Sequence, residues 1–175
     1  YAATGISEIL DQAGLPKGSF YFYFKSKDEL AVEVISYYQQ VLLNRLENIS
    51  IGKNWETFVD DAFAFLLGVS EDRTFFGCPF AVMGMETAFY RPEIAKKYGE
   101  SIEKFRDLFR RVLLLSGLEP SHAEALSGRF LSVYQGAILL GRISGSASYL
   151  TEAKNTMIEM YREYCAFHKI GGGYL

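Results

Sequence analysis

Cysteine and histidine are scarce here, with two of each among 175 residues. Cys78 and Cys165 cannot build a disulfide framework, and a lone pair of thiols suits a reducing, cytoplasmic setting. His122 and His168 are far apart in the chain, so no zinc motif, metal site or cofactor is expected. No apolar run approaches the ~18–20 residues that a membrane-spanning helix needs. The longest runs, Val112 to Leu115 and Ala137 to Leu140, are short, so no membrane partner is expected. No signal-peptide pattern opens the chain. It starts at Tyr1, and Tyr1 to Thr4 reads like the middle of a domain, so a preceding segment is expected. Signs of catalysis are also lacking: there is no Cys–His pair at suggestive spacing, no phosphate-cradling Gly loop and no metal-ligand cluster. Asp60-Asp61 and Glu71-Asp72 read as solvated charges, and no enzyme is expected. An excess of positive charge is missing as well, the net charge being −3.

What is present is apolar and aromatic. Hydrophobic residues make up 49% of the chain, with 14 Phe and 12 Tyr but a single Trp. That composition supports a sizeable core and disfavours disorder; the aromatic surplus fits either a bulky interior or an apolar cavity. Apolar residues recur at helical spacing, as in Tyr98, Ile102, Phe105, Phe109 and Val112, and strand signals are weak. An all-α fold follows. Four Pro and several Gly divide the chain into helices with short connections. Helix starts are expected at Thr4 as an N-cap, at Ser26 and Ser121 as capping boxes with Glu29 and Glu124, and at Asn54. The last two helices are expected to end near Ile143 and to run from Leu150 to His168. Gly171 to Gly173 mark residues 171–175 as a flexible tail.

The N-terminal segment carries the most specific pattern. Helix signals from Thr4 to Ala13 stop at Gly14, a natural left-handed helix end. Pro16 suits the first turn of a second short helix ending near Phe22. Two short helices around such a turn make a helix-turn-helix, the second being the recognition helix. Ile6, Ile9, Leu10, Ala13 and Phe20 are the expected small core. Lys17 and Ser19 lie in the first turn of the second helix, where side chains can reach base edges or phosphates. Gly18 has no side chain and lets the backbone approach a duplex closely. Tyr21 and Tyr23 can donate to phosphate oxygens, and Lys27 opens the next helix, where its ammonium and free N–H groups suit a phosphate. Residues 1–30 carry three lysines against four carboxylates, a net of −1.

From Thr4 to Leu30 the segment closely resembles the DNA-binding head of the TetR family: I-x-x-x-A-G from Ile9 to Gly14, then K-G-x-x-Y-x-Y-F-x-S-K-x-x-L from Lys17 to Leu30 in the same register, with Thr4 one residue farther from the Ile than in the family's T-x-x-x-I. Pro16 replaces a usual Ser and Phe22 stands where many relatives carry His. The resemblance implies that Lys17, Gly18, Ser19, Tyr21, Tyr23 and Lys27 contact double-stranded operator DNA. It also implies that the family's first helix precedes Tyr1. The expected organisation is a helix-turn-helix DNA-binding domain with linker helix over 1–47, followed by a larger helical ligand-binding and dimerisation domain over 48–170. Such a chain would act as a homodimeric regulator, a repressor of a palindromic operator released by a small apolar or aromatic ligand. The alternative is a helical small-molecule-binding protein or enzyme without DNA contacts.

In the larger domain, Phe63, Phe75, Phe76, Cys78, Phe80, Met83, Met85, Glu86, Phe105, Phe109 and Tyr134 are candidate pocket residues. An aromatic or Met at helical spacing is more often plain core than pocket wall. Glu86 is the lone charge in its apolar run; it fits a ligand cation, or more simply a structural hydrogen bond or salt bridge. Gly77-Cys78-Pro79 resembles a pattern in one subgroup of the family, some members of which sense oxidants or electrophiles through a thiol, although a buried inert Cys is the commoner outcome. Gly128, Ser132 and Gly136 recur every fourth residue, a stripe that permits close helix approach. They are the candidate dimer interface, with packing inside one subunit as the alternative.

Overall fold

The computed structural model describes residues 1–70 and 77–168. Among these residues every regular element is helical, as the periodicity requires. In chain order they are α1 (Ile6–Ala13), a 3-10 turn (Lys17–Ser19), α2 (Phe20–Tyr23), α3 (Lys27–Ser50), α4 (Trp55–Ser70), α5 (Pro79–Thr87), α6 (Pro92–Leu115), α7 (Pro120–Ser144) and α8 (Ser148–His168). The tail at 171–175 and the connection carrying Phe75 and Phe76 lie outside the described residues.

Several helix starts differ from the sequence reading for local reasons. At α1 the N-cap is Gly5 rather than Thr4, and its N–H donates to the Glu8 carboxylate at 3.4 Å. At α7 the cap position is Glu119, and Pro120 occupies the first helical turn. Proline has no N–H to leave unsatisfied there, so the helix begins before Ser121 and the expected capping box does not form. Helix α8 starts at Ser148, earlier than Leu150. Two caps stand where the sequence places them: Ser26 Oγ accepts the Glu29 N–H at 3.1 Å, and Asn54 Oδ1 accepts the Thr57 N–H at 3.0 Å.

The chain forms two compact units. The first comprises Tyr1–Leu42 and Pro79–Ile102, the second Leu43–Cys78 and Glu103–Leu175, so both divisions on the long helices fall inside α3 and α6. In the first unit Leu10, Phe20, Ala31, Ile35, Phe80, Ile94 and Tyr98 are buried. Ile6 and Ile9 are half-buried, while Ala13 is exposed and contributes no core. Asp28 at the start of α3 pairs with Arg91 at 3.2 Å.

The second unit is organised around Trp55, which is fully buried. Its ring stacks on Phe130 with centroids 4.5 Å apart and meets Phe109 edge-on at 5.6 Å. Its backbone N–H donates to Ser116 Oγ at 2.7 Å, and its indole N–H reaches the Met157 carbonyl at 3.5 Å. The side chain thus engages three other helices, α6, α7 and α8. Helix α8 packs on both α4 and α7. Ion pairs rim this unit, among them Arg111 with Glu47 at 2.7 Å and Lys154 with Asp60 at 3.2 Å. Being solvent-exposed, each contributes roughly 0–1 kcal/mol, so the aromatic core dominates.

Candidate functional site

The turn between the first two helices is built by backbone geometry. Gly14 adopts a left-handed conformation (φ 66°), and the Leu15 N–H returns to the Leu10 carbonyl at 2.9 Å, which stops α1. Pro16 is extended, and the Ser19 N–H and hydroxyl both donate to its carbonyl, at 2.9 and 2.7 Å. The second helix of the motif is therefore a 3-10 turn continuing into one α-helical turn. Phe20 is its buried anchor and Leu10 its counterpart on α1.

This anchoring leaves the opposite face to solvent. Lys17 and Gly18 are exposed, and a methyl group added at Gly18 would meet no atom within 4 Å. Tyr21 and Tyr23 are each 69% exposed and Phe22 is 83% exposed. Large aromatics with that exposure are unusual unless they meet a partner. Ser19 is half-buried, its hydroxyl committed to the turn. Lys27 is half-buried too: its ammonium donates to the carbonyls of Tyr1 and Thr4 and lies 4.3 Å from the centre of the Tyr1 ring. A phosphate at Lys27 would share the ammonium with those carbonyls. The face consequently offers the Lys17 ammonium, two phenol hydroxyls and a side-chain-free backbone position at Gly18.

The candidate pocket residues divide between the units. In the second, Tyr134 meets Phe63 edge-on at 6.0 Å and Phe109 edge-on at 5.7 Å. Burial, reinforced by the neighbouring Cys78, pushes the Tyr134 phenol pKa well above its ordinary value. Cys78 is half-buried, and its sulfur accepts from Gln135 Nε2 at 3.5 Å. The other end of that amide, Oε1, is buried with no partner among the described residues. Sequence reasoning did not single out Gln135; its only signal was adjacency to Tyr134. Phe105 is buried in the same unit.

Phe80, Met83 and Glu86 belong to the first unit. Phe80 is buried, Met85 is 67% exposed, and Glu86 accepts the Ala2 N–H at 2.8 Å and bonds the Tyr1 nitrogen at 2.7 Å. Phe76 lies outside the described residues.

Along α7, Ser132 is exposed, its hydroxyl donating to the Gly128 carbonyl at 3.0 Å. A methyl at Gly128 would touch the Arg106 guanidinium of the same chain at 3.6 Å, whereas one at Gly136 would meet nothing within 4 Å. Farther along, Leu139 and Leu140 are exposed and Ile143 is 74% exposed.

Comparison with known proteins agrees with both parts of the chain. Residues 1–34 match the model of bacterial regulatory proteins of the tetR family, and residues 59–156 match the C-terminal domain of LmrA/YxaF-like transcriptional regulators. The HTH-type transcriptional regulator YerO of Bacillus subtilis is 31% identical over 125 residues, covering 60% of this chain and 43% of YerO, so the match spans less than half of that relative. LmrA of the same organism, also an HTH-type transcriptional regulator, is 21% identical over 170 residues, covering 93% of this chain and 88% of LmrA. A TetR transcriptional regulator from Legionella pneumophila shares the fold with a TM-score of 0.82 at 19% identity, covering 91% of this chain and 87% of the other.

Proposed function

This chain belongs to the TetR family of transcriptional regulators, and on that premise we propose that it is a homodimeric repressor that binds a palindromic operator and is released by a small apolar or aromatic ligand. The observation that carries the DNA-binding part is the recognition turn, where Phe20 is buried while Lys17, Gly18, Tyr21 and Tyr23 stand open to solvent. In this reading Lys17 reaches a base edge or phosphate, Gly18 lets the backbone close on the groove, and the two phenols hold phosphate oxygens. Two heads related by a twofold axis read major grooves about 34–36 Å apart or a multiple of it. Cytoplasmic location follows from that role.

Support for the dimer comes from α7, where Gly136 is open and Leu139, Leu140 and Ile143 are exposed. Support for an aromatic or apolar ligand comes from the Phe63–Tyr134–Phe109 cluster beside Cys78 and Gln135. A ligand that favours the non-binding state weakens operator binding, and operator weakens ligand binding by the same factor.

The test starts with selection of binding sites from random duplex DNA by the full chain, followed by titration in fluorescence anisotropy. Lys17→Ala combined with Tyr21→Ala should lower affinity at least tenfold while leaving the thermal unfolding midpoint in place. Affinity should also fall steeply with salt, and loss of the Lys17 contact should reduce the log–log slope by about 1. Enrichment of no duplex, or an affinity untouched by the double substitution, would overturn the reading.

A further inference from the structure

The only two histidines of the chain, separated by most of α7 and α8, come together at one end of that helix pair. His122 lies in the first turn of α7 and His168 in the last turn of α8, and their ring centroids are 4.6 Å apart at an interplanar angle of 45°. Tyr164 braces both, lying 4.4 Å from His168 at a shallow 34° and meeting His122 edge-on at 5.3 Å. The Nδ1 atom of His122 is buried and has no hydrogen-bond partner. Buried ring nitrogens are normally satisfied, and the described structure supplies nothing for this one.

We propose that His122 and His168 form a two-imidazole site for a divalent transition-metal cation of the nickel, copper and zinc class. Imidazole nitrogen suits these ions, whereas magnesium and calcium prefer oxygen. The spacing agrees: with metal–nitrogen bonds of about 2.0–2.1 Å, two rings ligating one ion at a right angle have centroids about 4.5 Å apart, against about 5.2 Å for a tetrahedral angle. The observed 4.6 Å between the ring centres is within reach of one shared ion.

No third protein ligand is needed or offered. Among the described residues no group of three His, Cys, Asp or Glu side chains is gathered for a metal. Cys165, one turn before His168, shares a hydrogen bond with Tyr161, and burial raises its thiol pKa. The carbonyl end of α8 favours a cation and the N–H end of α7 opposes it, so the two helix ends offset each other and the imidazoles decide.

The experiment titrates nickel ion, which does not oxidise thiols, into the untagged full chain by calorimetry. One ion per chain is expected. His122→Phe and His168→Phe keep a ring in the stack and remove the nitrogens, and each should weaken binding at least tenfold. Cys165→Ser, at a residue outside the imidazole pair, should leave binding unchanged. Thermal unfolding provides a second reading: nickel should raise the midpoint of the parent chain and of Cys165→Ser but of neither His variant. Absence of binding to the parent chain, or binding that survives both His substitutions, overturns the proposal. Operator DNA enters none of these measurements, so the outcome stands apart from the regulator reading.

Discussion

At the scale of single residues, Gly18 separates folding from recognition. Its surroundings leave room for a methyl group and its φ lies outside the left-handed region. Alanine is the better helix former by up to about 1 kcal/mol, so Gly18→Ala should hold or raise the unfolding midpoint while weakening operator binding. Equal operator affinity in the variant would remove Gly18 from the interface. Trp55 is the opposite kind of residue. With no exposed surface and rings of Phe130 and Phe109 against it, Trp55→Ala should cost about 3–5 kcal/mol in denaturant unfolding. Tyr161 offers a pH signature. Burial, with help from Cys165, pushes its phenol up to about 12, against about 10 in an unfolded chain. The folded state holds that proton more tightly, so its contribution is fully present below about pH 10 and is lost as pH rises toward 12. Tyr161→Phe should flatten that alkaline loss in unfolding curves recorded across the window.

At the scale of elements, the helices themselves were legible because periodicity reports burial on one face, whereas their ends depend on competition between neighbouring caps. Asn54 and Ser26 act as the local pattern suggests, since nothing stronger stands beside them. Ser121 loses to Pro120, whose ring fits the first turn without wasting a donor. The recognition helix reads from sequence as one short helix, yet it opens as a 3-10 turn because Ser19 bonds back to Pro16. Gly117 closes α6 with φ at 90°. A side chain there is strained by roughly 1–2 kcal/mol, so Gly117→Ala should lower the unfolding midpoint even though a methyl would meet no neighbour within 4 Å. An unchanged midpoint would mean that the end of α6 relaxes freely.

At the scale of the whole molecule, the dimer proposal concentrates on α7. Gly136→Arg introduces a long charged side chain where the chain's own atoms leave space. Sedimentation should then show a shift toward monomer with helical content retained; a persistent dimer would place the interface elsewhere. What the sequence by itself determined was the helical class and the identity of the N-terminal motif, because both rest on short-range spacing: apolar residues every third or fourth position, a glycine at a left-handed turn, and Lys17 to Tyr23 in fixed order. Long-range placement had to come from tertiary structure. Chain order says nothing about Trp55 meeting Phe130, Glu86 turning to the first residues, or Lys27 spending its ammonium on carbonyls of Tyr1 and Thr4. Nor does it show His122 standing beside His168. Those outcomes depend on how whole helices pack and on which buried polar group finds a partner, and neither quantity is carried by the local pattern of residues.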